Sequence, residues 1–183
     1  MTNTQNLNNK RIAILATNGF EQSELVQPKK MLTAQGAEVD ILSIDDQGEI
    51  TGWDTDNWGD KVKVDAQVST AEPGDYDALV LPGGQINPDI LRANKEAVSF
   101  IQQAHAAPRI KAIGAICHGP WLFVESGLAN DSRVTSYPSI KTDLTNAGAH
   151  WQDKEVVQDG KLVTSRNPDD IPAFVAKISE LVA

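Results

Sequence analysis

The 183-residue chain holds a single cysteine, Cys117. One cysteine excludes any disulfide within the chain and suits a reducing compartment. No apolar run comes near the roughly 18 residues that a membrane-spanning helix needs, so no membrane partner is expected. The amino terminus, Met1-Thr-Asn-Thr-Gln-Asn-Leu-Asn-Asn-Lys10, is polar and lacks the apolar segment of a signal peptide or anchor, and a cytoplasmic location is expected. Positive charge is scarce as well. Sixteen Lys and Arg stand against 25 Asp and Glu, a net charge of −9, and no basic cluster occurs. Nucleic-acid affinity rests largely on phosphate neutralisation, so no nucleic-acid partner is expected. No spacing of His, Cys, Asp and Glu resembles a zinc site. No Gly-x-Gly-x-x-Gly or phosphate-binding loop follows the first strand, which argues against a nucleotide. Neither metal nor cofactor is expected. Internal repeats and interdomain linkers are absent too, and 40% hydrophobic content suffices for one sizeable core.

What is present is an alternation of strands and helices. Residues 1–9 read as a polar tail and 10–183 as one domain. Arg11-Ile-Ala-Ile-Leu-Ala16 is a continuous apolar run, as befits a strand buried on both faces. After the turn at Thr17–Phe20, a helix carries Glu21, Glu24, Leu25, Met31 and Leu32 and ends at Gly36; Pro28 should kink or split it. Residues 37–44 form the second strand and complete a right-handed βαβ unit. From Asp45 to Gly74 the character changes. Residues 61–65 alternate like an edge strand, and the polar stretch Gly52–Gly59, with Trp53 and Trp58, reads as a loop or an interface element outside the sheet. Residues 76–81 are the third core strand, ending in Pro82-Gly83-Gly84. Pro88 and Asp89 open the next helical region, and Asn94 can cap a helix over Lys95–Ala106. After the Cys117 strand, residues 133–137 read as a further strand and Pro138 opens a helix toward Gly148. Asp159-Gly160 marks a hairpin, and residues 171–182 form a last amphipathic helix. This pattern predicts an α/β fold: a flavodoxin-like, doubly wound single domain with a mostly parallel central sheet and helices on both faces.

The stretch Ile110-Lys-Ala-Ile-Gly-Ala-Ile-Cys117-His118-Gly119-Pro120 runs an apolar strand into the cysteine and then into a turn. A short helix closed by Gly127 follows. Such a thiol can be a small buried hydrophobe. It can also be a nucleophile on a strand-to-helix elbow, where a helix amino terminus favours the thiolate. The other core strands deliver Glu21 and Glu24, and Gly83 and Gly84, to the same sheet edge, where ligands of open α/β sheets bind. Glu21 and Glu24 are three apart and share a helix face. Either is equally well read as a solvated first-turn acid. A carboxyl desolvated beside sulfur would stay protonated and donate to it, keeping Cys117 ionised. His105 and His150 read as surface residues.

Four segments together resemble the PfpI family, the branch of the class I glutamine-amidotransferase-like superfamily that includes the parkinsonism-associated deglycase. They are Gly19-Phe-Glu21-Gln-Ser-Glu24-Leu, Leu79-Val-Leu-Pro82-Gly83-Gly84, Ala115-Ile-Cys117-His118-Gly119-Pro120 and Thr135-Ser-Tyr137-Pro138. The resemblance covers nearly all of residues 10–183, in order. It implies Cys117 as nucleophile, His118 as its general-base neighbour and Glu24 as the protonated carboxyl touching sulfur. It also implies oxyanion donors at Gly83, Gly84 and the His118 amide, and a substrate pocket beside Glu21 and Tyr137. Asp89 matches an acid that family members extend to the histidine of a neighbouring subunit, implying a homo-oligomer, a dimer or larger, with a shared site. Tyr137 stands where the deglycase branch has histidine, which puts the chain on the PfpI side. Two features depart from the family pattern: the Trp53–Trp58 segment looks longer, and Asp89 is shorter than glutamate.

The expected function is stress protection by a cysteine enzyme of glyoxalase or deglycase type. Its substrates would be small reactive carbonyls or the adducts they leave on glycated proteins. An intracellular cysteine peptidase and a non-enzymatic redox sensor are the alternatives.

Overall fold

The computed structural model describes residues 5–183. β1 (Arg11–Leu15) is followed by the two-residue β2 (Phe20–Glu21), α1 (Gln22–Ala34) and β3 (Glu38–Ser43). A hairpin of β4 (Glu49–Asp54) and β5 (Asn57–Lys63) precedes the short β6 (Ala66–Gln67) and β7 (Ala78–Leu81). Next come α2 (Ile86–Arg92), α3 (Lys95–Ala106), β8 (Ala112–Ile116) and α4 (Trp121–Ser126). The chain closes with β9 (Arg133–Val134), α5 (Lys141–Asn146), β10 (His150–Trp151), β11 (Val157–Asp159), β12 (Leu162–Ser165) and α6 (Ile171–Val182).

Seven strands form the central sheet in the order β11-β12-β8-β7-β1-β3-β6. All neighbours run parallel except β11, which is antiparallel to β12 across the Gly160 turn. The central strands β7 and β8, and β1 after Arg11, are apolar because both faces are covered, and alternate residues supply the two cores. Ala13, Leu15, Leu79, Leu81 and Ile113 face Phe100, Ile101 and Phe123 of α3 and α4. Ile12, Ile14, Val80 and Ile116 face Leu25 and Leu32 of α1 and Phe174 and Ile178 of α6. Each large side chain so buried contributes about 1.5–3 kcal/mol. The mostly parallel, doubly wound sheet is the predicted one. From β1 the chain winds outward through β3 to β6, then returns to the other side of β1 with β7. That reversal leaves a crevice at the carboxyl ends of β1, β7 and β8.

Several local expectations held. Asn94 caps α3 by accepting from the Ala97 amide at 2.9 Å, Gly127 closes α4 at φ 79°, and α6 spans the anticipated residues. Two did not. α1 runs unbroken through Pro28, whose ring is buried; the helix is held by packing and tolerates the missing amide donor. Only Arg133–Val134 of the expected strand at 133–137 is extended, and it pairs with β10 in a two-stranded sheet of its own. The Trp53–Trp58 stretch lies outside the central sheet as expected, but it is not a loop. β4 and β5 form a hairpin that extends β2 into a three-stranded sheet, with Phe20 paired to Gly52 and Glu21 to Trp53. The polar tail reaches the core at one point. Leu7 is fully buried and its amide donates to Gln35 O at 2.8 Å, while residues 1–4 lie outside the described part. Among the described residues, no helix is long and apolar enough to cross a membrane.

Candidate active site

The crevice is built from three adjacent strand ends. β8 carries Cys117 into a tight turn, in which Gly119 N–H donates to Ile116 O and Trp121 N–H to His118 O. Cys117 sits at φ 62°, a region that side chains with a Cβ avoid. Two hydrogen bonds hold it there: Cys117 N–H donates to Ser165 O at 3.0 Å and Cys117 O accepts from Tyr137 N–H at 2.8 Å. The strained turn lifts the thiol out of the strand toward the crevice, the elbow geometry anticipated from the sequence.

β1 and β2 bring in α1 and with it Glu24, which is fully buried. Its Oε2 accepts from the Gly83 amide at 2.7 Å. Its Oε1 is buried without a nitrogen or oxygen partner among the described residues, and the carboxyl lies against the Cys117 sulfur. Burial pushes Glu24 up to about 8, so it holds a proton at neutral pH. Gly83 therefore does not serve as the expected oxyanion donor, because its amide is committed to Glu24. The donors facing the sulfur are the amides of Gly84 and His118. Gly84, at φ 81°, adopts a conformation open to glycine and packs against the chain at Gly19–Glu21.

His118 stands 3.3 Å from the sulfur through Nδ1, with Ser139 Oγ 3.2 Å from Nε2. The ring is stacked on Tyr137, centroids 5.0 Å apart, and meets Trp121 edge-on. Adjacent side chains usually diverge, and the turn at Cys117 is what brings these two together. Burial lowers the His118 pKa, which leaves the imidazole neutral. Burial also pushes the Cys117 thiol up, a charged Glu24 would push it further, and the two amides pull it back. The thiolate expected from the sequence is thus opposed by desolvation. Desolvation favours the protonated carboxyl and opposes the thiolate, while the Gly84 and His118 amides favour the thiolate.

The sulfur opens into a cleft of about 380 Å³. Gly84, Gln85 and Ile86 form one wall, and Trp53 and Thr55 at the tip of the β4–β5 hairpin form another. Glu21 and Tyr137 line it as expected, and neither lysine nor arginine does. Glu21 is half-buried, accepts from Ser23 Oγ at 3.3 Å, and burial raises its pKa. Glu24 and Gly83 pack behind the sulfur, whereas Asp89 neither lines the cleft nor packs at the thiol. It is exposed in the first turn of α2 and makes no side-chain hydrogen bond or ion pair among the described residues. No group of three His, Cys, Asp or Glu side chains among the described residues could hold a metal.

The family model described as DJ-1/PfpI matches residues 10–181. The chain belongs to the DJ-1/PfpI family. The deglycase PH1704 of Pyrococcus horikoshii is 40% identical over 94% of this chain and 99% of its own length. YraA of Bacillus subtilis, whose name suggests a cysteine protease, is 39% identical over 90% of this chain and 94% of its own. Among solved structures, DJ-1beta of Drosophila melanogaster superposes with a TM-score of 0.79 at 27% identity, covering 94% of this chain and 90% of that one.

Two positioning residues of this DJ-1/PfpI site escaped the sequence reading. Asn87 is fully buried; its Nδ2 donates to Pro82 O at 3.0 Å and to Gly83 O at 3.1 Å, and its Oδ1 accepts from Thr17 N–H at 2.8 Å. It ties the glycine turn after β7 to the end of β1. Ser139 is the other. The Asn87–Thr17 and Ser139–His118 contacts span 70 and 21 residues, and no local pattern marks either.

Proposed function

We propose that the protein is a cysteine enzyme that converts small reactive carbonyls such as methylglyoxal, and the early adducts they form on proteins, into lactate or its released equivalents. The observation that carries this reading is the set of groups around one sulfur. Cys117 faces the cleft with His118 Nδ1 at 3.3 Å, two backbone amides beside it and a protonated Glu24 behind it. The deglycase name of a relative matched over nearly its whole length supports the same chemistry.

Sulfur attacks the aldehyde carbon while the thiol proton passes to His118 Nδ1. The new alkoxide is met by the Gly84 and His118 amides and takes the proton back, giving a hemithioacetal. The hydrogen on that carbon leaves as a proton and returns to the neighbouring carbonyl carbon, while the hydroxyl proton passes to that carbonyl's oxygen, which yields a lactoyl thioester. Water then cleaves the carbon–sulfur bond, releasing lactate and restoring the thiol. Methylglyoxal and water enter, lactate leaves, and no redox partner is consumed.

In this reading the enzyme works in the cytoplasm as a homo-oligomer in which Asp89 of one subunit approaches His118 of another. Ile86 and Ile90, both exposed, flank Asp89 on α2 and are consistent with a covered face. A monomeric mass by size exclusion rules out that contribution. The peptidase reading is favoured by the name of YraA. Lactate formation from methylglyoxal by wild type and not by Cys117→Ala is the expected result. No lactate at high enzyme concentration overturns the proposal, and cleavage of an unfolded protein by wild type alone puts the peptidase in its place.

A further inference from the structure

We propose that Ser139 is the positioning residue that completes a Cys117–His118–Ser139 relay within one chain. His118 is 5% exposed, and its two ring nitrogens have one side-chain partner each, the Cys117 sulfur at 3.3 Å and Ser139 Oγ at 3.2 Å. A histidine that accepts the thiol proton at Nδ1 must carry its own hydrogen on Nε2. The Ser139 hydroxyl is placed to accept that hydrogen, which fixes both the tautomer and the plane of the ring. The Tyr137 stack and the Trp121 edge hold the ring from the sides without offering a hydrogen bond to either nitrogen.

Ser139 lies in the 3-10 turn Pro138–Ile140, directly after Tyr137, whose amide donates to Cys117 O at 2.8 Å. The turn that holds the elbow in its strained shape therefore also carries the hydroxyl. Within one chain the relay has no full charge at its far end. When His118 takes the proton, an oxygen dipole steadies the imidazolium where many cysteine and serine hydrolases place a carboxylate or an amide. Within one chain, the ionisable groups around the ring are Cys117 itself, Glu24 behind the sulfur, Tyr137 in the stack, Glu21 across the cleft and, beyond Trp121, Asp143, which accepts from Trp121 Nε1 at 2.8 Å, and Arg92, whose guanidinium lies 5.3 Å from the Trp121 ring centre. None of them donates to or accepts from Nε2. Any shift in ion-pair formation on changing Ser139 thus reports the hydroxyl.

The assignment rests on the Cys117–His118 reading but not on any substrate, so it is tested on the thiol. Cys117 is the sole cysteine, and its alkylation by iodoacetamide is followed by mass across pH 5–10. Ser139→Ala should slow alkylation at pH 7 about three- to tenfold, and Ser139→Thr should restore it to within about twofold. Ser139→Asp should instead speed it and move the midpoint of the pH profile down by about one unit, because a carboxylate stabilises the imidazolium–thiolate pair. A merely structural serine would make both Ala and Asp slower with an unmoved midpoint. That outcome, or Ser139→Ala alkylating like wild type while His118→Ala is slowed, overturns the relay. If the Ser139 variants behave as expected and no lactate forms from methylglyoxal, the relay stands and the carbonyl reading fails.

Discussion

Gly83 donates its amide to Glu24 Oε2 at 2.7 Å, and a Cβ built on Gly83 would lie 2.5 Å from that same oxygen. The same atom would stand 2.8 Å from both Cys117 Cβ and Ile116 O. Glycine is needed here for close approach: the carboxyl, the thiol and the β7 turn converge on a space that no side chain can share.

Gly83→Ala should therefore fail in two ways at once. Backbone and the buried carboxyl must both shift, which costs about 1–3 kcal/mol by the measure of overpacked cores. Urea unfolding reads that loss directly. Alkylation of Cys117 should change in the same variant, since Glu24 is displaced from the sulfur. Wild-type stability in Gly83→Ala would mean that the convergence is looser than described.

Glu24 gives the site a pH signature. Its pKa is raised in the folded chain to about 8, from an ordinary value of 4.5, by burial. A raised folded pKa favours the fold most below the unfolded value, and that stability is lost as pH rises through the folded one. Between about pH 4.5 and 8 the unfolded chain releases this proton while the folded chain keeps it. Stability should fall by up to ~1.4 kcal/mol per pH unit from this group alone. Glu24→Gln mimics the protonated carboxyl and should remove that slope. Parallel unfolding free energies of the two proteins at pH 5 and pH 7.5 are the measurement, and equal slopes sink the idea that Glu24 is buried in its protonated form.

Glu21 is the acid that the cleft shows to an incoming molecule, with no lysine or arginine along the lining to offset it. Neutral reagents should enter more readily than anions. The ratio of Cys117 alkylation by neutral iodoacetamide to that by anionic iodoacetate should exceed the ratio for a free thiol. Glu21→Gln should shrink it about fivefold, equivalent to ~1 kcal/mol for a charge several ångströms away in partly wet surroundings. An unchanged ratio in Glu21→Gln would place the discrimination elsewhere.

How much of this was legible in the sequence follows from how local each signal is. Apolar runs at 11–16 and 76–81, the Asn94 cap and the Gly160 turn each act within a few residues, and they gave the sheet and the helices on both faces. The elbow at Cys117, with Glu24 and the glycines at neighbouring strand ends, followed from strand order and from the family resemblance. What stayed hidden depends on long-range pairing. That Gly83 spends its amide on Glu24, across 59 positions, could not be told from an oxyanion donor by residue type. Asn87 and Ser139 reach partners 70 and 21 residues away. The desolvation that opposes the thiolate is hidden for a related reason. Only the folded arrangement shows how completely the pocket is stripped of water.

The β4–β5 hairpin belongs to a sheet separate from the one that carries Cys117. The reacting groups and the far wall of the cleft thus rest on different foundations. Trp53 and Thr55 can be exchanged, or the hairpin lengthened, with little disturbance to the central strands beneath the thiol. In a lineage of such proteins the mouth can diversify quickly around a nucleophile that stays fixed, and taste for new compounds can change without the reaction being reinvented.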